Sequence, residues 1–118
     1  MAFKRKLPDT PNIKPHFWDG AGEVEIYPIL NGPEEMYQKG RVCSIIRLKP
    51  GCEIGKHQHV DDAEVFYILS GHGKYYLDGE YVDVEPGDVL FCDDGDWHGM
   101  INESDEDLKL FAVVLYTK

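Results

Sequence analysis

The sequence predicts an all-β fold, a small barrel or sandwich, and three observations carry that prediction. Apolar runs are short and rich in β-branched and aromatic residues, turn signals separate them at close intervals, and no window sustains helical periodicity. The chain has 118 residues, enough for one domain with one core, and its apolar fraction of 42% is ordinary for a folded interior.

The elements follow in order. Residues 1–20 contain several prolines and no alternation, and read as an arm, loose or laid over a neighbour, ahead of a single barrel domain at 21–118. Within the arm, Phe17 and Trp18 are apolar enough to seek burial, either on their own barrel or across a dimer contact. Gly32–Tyr37 can form one short turn of helix. Arg41–Leu48 is a strand stopped by the turn Lys49-Pro50-Gly51. Glu64–Ser70 is a strand ended by Gly71. Glu64, Phe66, Ile68 and Ser70 share one face, and Val65, Tyr67 and Leu69 the other. Both faces are largely apolar, so the strand is expected to be covered on both sides, one by the barrel interior and one by a second sheet or a partner subunit. Lys74–Leu77 and Glu80–Val84 flank Asp78-Gly79, a two-residue hairpin signal because both residues tolerate positive φ. Tyr67, Tyr75, Tyr76 and Tyr81 are expected on strand surfaces. After Pro86-Gly87-Asp88 comes the strand Val89–Cys92. Leu108–Tyr116 is the last and most apolar strand, and the acidic stretch Asn102–Asp107 before it reads as a solvated turn with no site role.

Composition excludes several classes. The formal net charge of -10 disfavours nucleic acid and anionic membrane as partners, since both need positive patches. It leaves an acidic substrate open, because one bound cation and one arginine reverse the potential inside a pocket. No apolar run approaches the ~20 residues of a membrane span. The basic start Met1-Ala2-Phe3-Lys4-Arg5-Lys6 lacks the apolar run of a signal peptide, so a cytoplasmic location is the default expectation. Cys43, Cys52 and Cys92 are odd in number, widely spaced and free of any CxxC pair, which argues against a disulfide framework and a thiolate zinc site. Cys43 and Cys92 lie in apolar runs and read as small core residues.

The candidate chemistry lies in His57, His59, Glu64 and His98, three imidazoles and a carboxylate, a full set of first-row metal ligands. His57-Gln58-His59 has period 2, so on a strand both rings point to the same side, with Cβ atoms roughly 6–7 Å apart. Glu64 follows the polar turn Val60-Asp61-Asp62-Ala63, which lets a second strand come back alongside the first. Asp61 and Asp62 themselves read as solvated turn acids. His98 arrives from a distant segment after Gly95-Asp96-Trp97, with Trp97 directed away from the site. His16 and His72 have no second ligand at useful spacing and read as surface residues. No serine or cysteine triad, phosphate loop or second catalytic histidine is visible, and no catalytic residue is assigned.

These segments resemble the two motifs of the cupin superfamily. Gly51, His57, His59, Glu64 and Gly71 satisfy G-x5-H-x-H-x3,4-E-x6-G. Gly87, Gly95, His98 and Asn102 satisfy G-x5-P-x-G-x2-H-x3-N, except that Asp93 holds the proline position. Asp93-Asp94-Gly95 can shape the turn through its own side-chain hydrogen bonds instead. The motifs cover the middle half of the chain, and the segment between them, His72 to Pro86, is short, as in small microbial cupins. The resemblance implies a double-stranded β-helix, a jelly-roll-like barrel with a metal inside, and that homodimers are common.

It also implies one divalent first-row transition metal, such as Mn, Fe, Ni or Zn, with two of six octahedral positions left open. Such an ion polarises a carboxylate, stabilises an enediolate or activates oxygen. Phe66, Ile68 and Met100 are expected to wall the pocket, and Arg41 or Arg47 to anchor an anionic substrate if either is not simply exposed. The small cupins with this motif set are similar to oxalate-decarboxylase-like and sugar-isomerase-like proteins. That similarity implies lyase, isomerase or decarboxylase chemistry on a small carboxylate or sugar acid. The alternatives are an Fe(II)-dependent dioxygenase and a non-catalytic ligand-binding cupin.

Overall fold

A computed structural model describes residues 2–118. The described residues form ten strands: β1 (Asn12–Pro15), β2 (Glu23–Leu30), β3 (Gly40–Leu48), β4 (Glu53–Gln58), β5 (Asp62–Ser70), β6 (Gly73–Leu77), β7 (Glu80–Val84), β8 (Val89–Cys92), β9 (Trp97–Ile101) and β10 (Leu108–Tyr116). Short 3-10 turns occur at Phe17–Asp19 and Pro33–Met36. The expected strands at 41–48, 64–70, 74–77, 80–84, 89–92 and 108–116 are all present, and the expected helical turn near residue 33 is the second 3-10 turn. Asp78 and Gly79 have φ of 49° and 95°, as a two-residue hairpin turn with both central residues left-handed requires.

The strands form two antiparallel sheets, β1-β2-β3-β10-β5-β8 and β4-β9-β6-β7. They face one another and fold as a double-stranded β-helix. The core fills the space between them. Ile46, Leu48, Phe66, Ile68, Leu108 and Leu110 come from the larger sheet, and Ile54, Tyr75, Val84 and Met100 from the smaller, all at most 4% exposed. No described helix is long and apolar enough to cross a membrane.

Several local expectations are corrected. The turn at residues 60–63 does not bring β5 back beside β4. It carries the chain from the smaller sheet to the larger, where β5 pairs with β10 and β8, while β4 pairs with β9. The apolar inner face of β5 needs an opposing sheet to cover it, and crossing over supplies one. The outer face of β5 is left open within the chain, with Tyr67 and Leu69 over two-fifths exposed. Asn102 is no solvated turn residue. It is fully buried, and its amide donates to the carbonyls of Leu48 (2.9 Å) and Glu106 (2.7 Å), closing the acidic loop onto β3. Tyr75 is buried in the interior, whereas Tyr67 and Tyr81 are exposed as expected. Cys92 is buried and Cys43 partly so, and burial pushes both thiols up, Cys92 to about 12.

Residues 12–20 lie along the barrel. β1 pairs with β2, and the Phe17–Asp19 turn rests on β4. Phe17 packs against the core and Trp18 reaches the interior cluster described next.

Candidate metal centre

His57 and His98 are direct cross-strand partners in the β4–β9 register. His59 lies one residue past the end of β4, where its N–H donates to the Asp96 carbonyl (3.0 Å) and its own carbonyl accepts from Gly95 N–H (2.7 Å). The turn at 93–96 that makes these contacts is shaped as expected for an aspartate in place of proline. Asp93 Oδ1 accepts from Asp94 N–H at 2.8 Å, and Gly95 takes φ of 91°. Glu64 enters from the third position of β5, in the opposite sheet. The four residues are at most 8% exposed, and one ligand atom from each lies within 4.8 Å of all the others. His59 Nε2 is 3.1 Å from Glu64 Oε1 and 3.1 Å from His98 Nε2, and His98 Nε2 is 3.2 Å from His57 Nε2.

The outer ring nitrogens decide what the inner ones can do. His57 Nδ1 faces the Gly55 carbonyl at 2.8 Å, and His59 Nδ1 faces Asp62 Oδ1 at 2.6 Å. Both partners only accept, so these Nδ1 atoms must carry hydrogen, and each neutral ring then turns a bare Nε2 lone pair inward. His98 Nδ1 meets Tyr75 Oη at 2.8 Å. With His98 Nδ1 donating to the Tyr75 oxygen in the same way, lone pairs of three imidazoles and a carboxylate converge on one point, an arrangement that repels itself unless a cation or proton sits among them. The donor set therefore fits a divalent ion, and each ring is oriented by an outer partner as metal-binding histidines are.

The surroundings shift the proton affinity of each group. Burial pushes the His57 imidazole down to about 4, so it stays neutral near pH 7. Burial would raise the Glu64 carboxyl, but the adjacent His59 and His98 imidazoles outweigh it and hold Glu64 at about 2. For His59 the downward pull of burial is outweighed by Glu64 and Asp62, and its pKa is raised. Burial also pushes the Tyr75 phenol up, so it remains a neutral hydrogen-bonding group.

A cavity of about 160 Å³ opens from this cluster. Phe17, Trp18, Ile26, Val42, Ile46 and Phe66 line much of it, with Arg41 at its side. Phe66 stacks on the His98 ring (5.0 Å between centroids, 21° between planes), and Trp18 stacks on His57 (4.6 Å, 7°). A larger recess of about 460 Å³ lies elsewhere, beside His72, Asp83 and Asp88, but no converging ligand set faces it, so the chemistry belongs to the smaller cavity.

Of the expected wall residues, Phe66 and Arg41 line the cavity and the other three do not. Ile68 and Met100 are buried in the core: each alternate position along a strand lies about 7 Å further on, beyond the reach of the site. Arg47 is on the outer face of β3, ion-paired with Glu25 of β2. Trp97 points outward, half exposed, as expected, and His16 and His72 are at the surface.

Three residues at the site escape a reading of the sequence. Asp62 is 7% exposed and bridges His59 to Arg41, whose Nε donates to Asp62 Oδ2 at 2.9 Å. A signal for it exists: extending β5 by two residues puts Asp62 in alternation with Glu64, Phe66 and Ile68. Tyr75 alternates with the outward Lys74 and Tyr76, which places it inward. Trp18 has no local signal, because only the docking of the arm brings it to His57. Asp62→Asn is expected to weaken metal affinity about 10- to 100-fold with the fold intact, since the amide holds the His59 ring less firmly and adds less to its basicity. Metal-competition titration against a chromogenic chelator measures this, and unchanged affinity would remove Asp62 from the site.

Two facing antiparallel sheets with an internal three-histidine, one-carboxylate centre define a class: a small β-barrel protein whose interior can hold a metal ion. Comparison with known proteins makes the class particular. The Cupin_2 family (Cupin domain) matches residues 44–114, and the chain belongs to it. The chain is 36% identical over 106 residues to an oxalate-binding protein of Thermotoga maritima, covering 90% of this chain and 87% of that one. The crystal structure of a T. maritima protein described as a predicted oxalate decarboxylase superposes with a TM-score of 0.88 at 33% identity, over 95% of this chain and 99% of that one. A 5-nitrosalicylic acid 1,2-dioxygenase of Bradyrhizobium is 24% identical over 74 residues, which are 63% of this chain and 35% of that enzyme.

Proposed function

We propose that the chain is a metal-dependent enzyme of lyase, isomerase or decarboxylase type. In this reading His57, His59, Glu64 and His98 hold one divalent first-row metal, and the ligand is a small carboxylate or sugar acid. The observation that carries it is the convergence of four buried donor atoms at the end of a cavity with room left for a small ligand. The oxalate-binding relative supports a carboxylate as that ligand. A bound ion supplies Lewis acidity, polarising a carboxylate or carbonyl oxygen and stabilising charge that develops on it. The chain's own residues hold the acid and keep water out. Arg41 brings a positive charge beside the cavity, its Nε fixed by Asp62, while Trp18 and Phe66 exclude solvent. Among the described residues, Arg41 is the one charged residue lining the cavity besides His57, His59 and Glu64, so the wall positions and desolvates an acid and offers no separate proton-transfer base.

In calorimetric or thermal-shift titration, oxalate is expected to stabilise the metal-loaded protein by about 2.7 kcal/mol at 100 times its Kd, and to leave the chelator-treated protein unchanged. The same shift with and without metal would sink the reading. The relative's oxalate-binding name favours a second reading, in which the acid is retained without turnover. The dioxygenase similarity favours a third, with Fe(II) and oxygen consumption. Product analysis of metal-loaded protein under air and under nitrogen separates the three.

We also propose that the chain forms a homodimer through the outer face of β10-β5-β8. Tyr67, Leu69, Val89, Phe91 and Leu115 are 42–66% exposed there. Tyr67 pairs with Val89, and Val65 with Phe91, so these side chains share one face. None of the outward positions on these three strands is acidic, although the chain carries 22 carboxylate residues. Two copies at net charge -10 can approach there without juxtaposing carboxylates. Equilibrium sedimentation is expected to give twice the chain mass for the wild type and the monomer mass for Phe91→Asp; a monomeric wild type would refute the pairing.

A further inference from the structure

Trp18 is held over the cavity by a tightly built segment. His16, Trp18 and Asp19 all take left-handed φ, 48°, 54° and 62°, a conformation that non-glycine residues keep only where surrounding contacts impose it. Here the contacts are explicit. His16 N–H donates to the Gly22 carbonyl (2.8 Å), Asp19 N–H to that of His16 (2.9 Å), and Glu53 N–H to that of Ala21 (2.9 Å). A Cβ on Gly55 would collide with the Trp18 carbonyl, so the segment lies backbone to backbone on β4. The indole is thereby fixed parallel to His57, half exposed outside and lining the cavity within.

The cavity is strongly polarised. One end holds His57, His59 and Glu64 with Arg41 close by, and the rest is Phe17, Trp18, Ile26, Val42, Ile46, Ile54, Phe66 and Val114. Its 160 Å³ would take about five waters at their liquid volume, more than an acid group alone displaces. A fully polar ligand such as oxalate would leave apolar wall facing water. We propose that the site selects a small carboxylate bearing a compact apolar body, with the acid at the donor end and the body against Trp18 and the facing Ile26, Val42 and Ile46. This rests on the carboxylate reading above. Trp18 is then a specificity-determining residue, supplied by the arm to a site otherwise built by the barrel.

The test is calorimetric titration of the full chain loaded with Co(II), using 2-oxo acids that share one head group: pyruvate, 3-methyl-2-oxobutanoate and phenylglyoxylate, with oxalate alongside. Each buried carbon should strengthen binding about fourfold, so affinity is expected to rise at least tenfold from pyruvate to 3-methyl-2-oxobutanoate. Trp18→Ala should reduce that ratio below about threefold and Trp18→Phe should keep most of it. A flat series in the wild-type protein, or a ratio unaltered in Trp18→Ala, overturns the inference while leaving carboxylate binding in place. Failure of every acid, oxalate included, to bind would overturn the carboxylate reading as well. Should Trp18→Ala fail to fold, the wild-type series still decides whether the site selects an apolar body, and a tenfold ratio lost in Trp18→Phe would overturn the role assigned to the aromatic face at that position.

Discussion

Replacing both His57 and His98 by alanine is expected to lower the metal content of the purified protein from close to one ion per chain to under about one-tenth. The two residues face each other across the β4–β9 register with their Nε2 atoms 3.2 Å apart, so the double variant removes one whole side of the donor set. His59 and Glu64 remain, two donors five residues apart on one crossover, too few to hold a first-row ion through purification. Elemental analysis measures the content, and circular dichroism confirms that the strands persist. Phe66 and Trp18 lose the rings they stack on, but Ile54, Tyr75 and Met100 still fill the space beneath the small sheet. Full metal retention in the double variant would show that the ion is held elsewhere.

Phe66→Ala carries the largest expected effect on stability. The ring is 1% exposed, stacks on His98 and meets Tyr75 edge to face at 6.0 Å between centroids. Truncation removes apolar contact and leaves a cavity between two sheets whose backbones are tied into antiparallel ladders and cannot easily close. A loss of about 3–5 kcal/mol is expected, measured by denaturant unfolding of the metal-free protein. The same change unsettles the His98 ring, so metal affinity should fall along with stability. A loss under ~1 kcal/mol would mean that Phe66 is not part of the packed interior.

Most of the barrel is legible in the amino-acid sequence. Turn residues mark strand ends because their backbone conformations are local properties, as Asp78-Gly79 shows, and alternation on Glu64–Ser70 identifies the buried face. The four donors are legible for the same reason, since their residue types and spacings are unusual together. The expectations that fail share a cause. The turn at 60–63 looks alike whether the strand returns to its own sheet or crosses to the other. Arg41 and Arg47 lie on one strand, and only the cross-strand partner tells them apart: Glu25 takes Arg47 outward, while Asp62 holds Arg41 at the cavity. Asn102 and Tyr75 look polar enough for the surface, yet each is satisfied inside by partners far away in sequence.

The division follows the range of the forces involved. Backbone preference, side-chain alternation and ligand chemistry act within a few residues, and they establish an all-β chain carrying a cupin metal-ligand set. Partners that meet only after the sheets close are a matter of packing. The outer acceptors that turn three imidazoles inward, the apolar wall and the indole laid on His57 are all of that kind. They convert a set of ligands into a cavity with a preference, because the space between two sheets is shaped by residues that no local rule brings together.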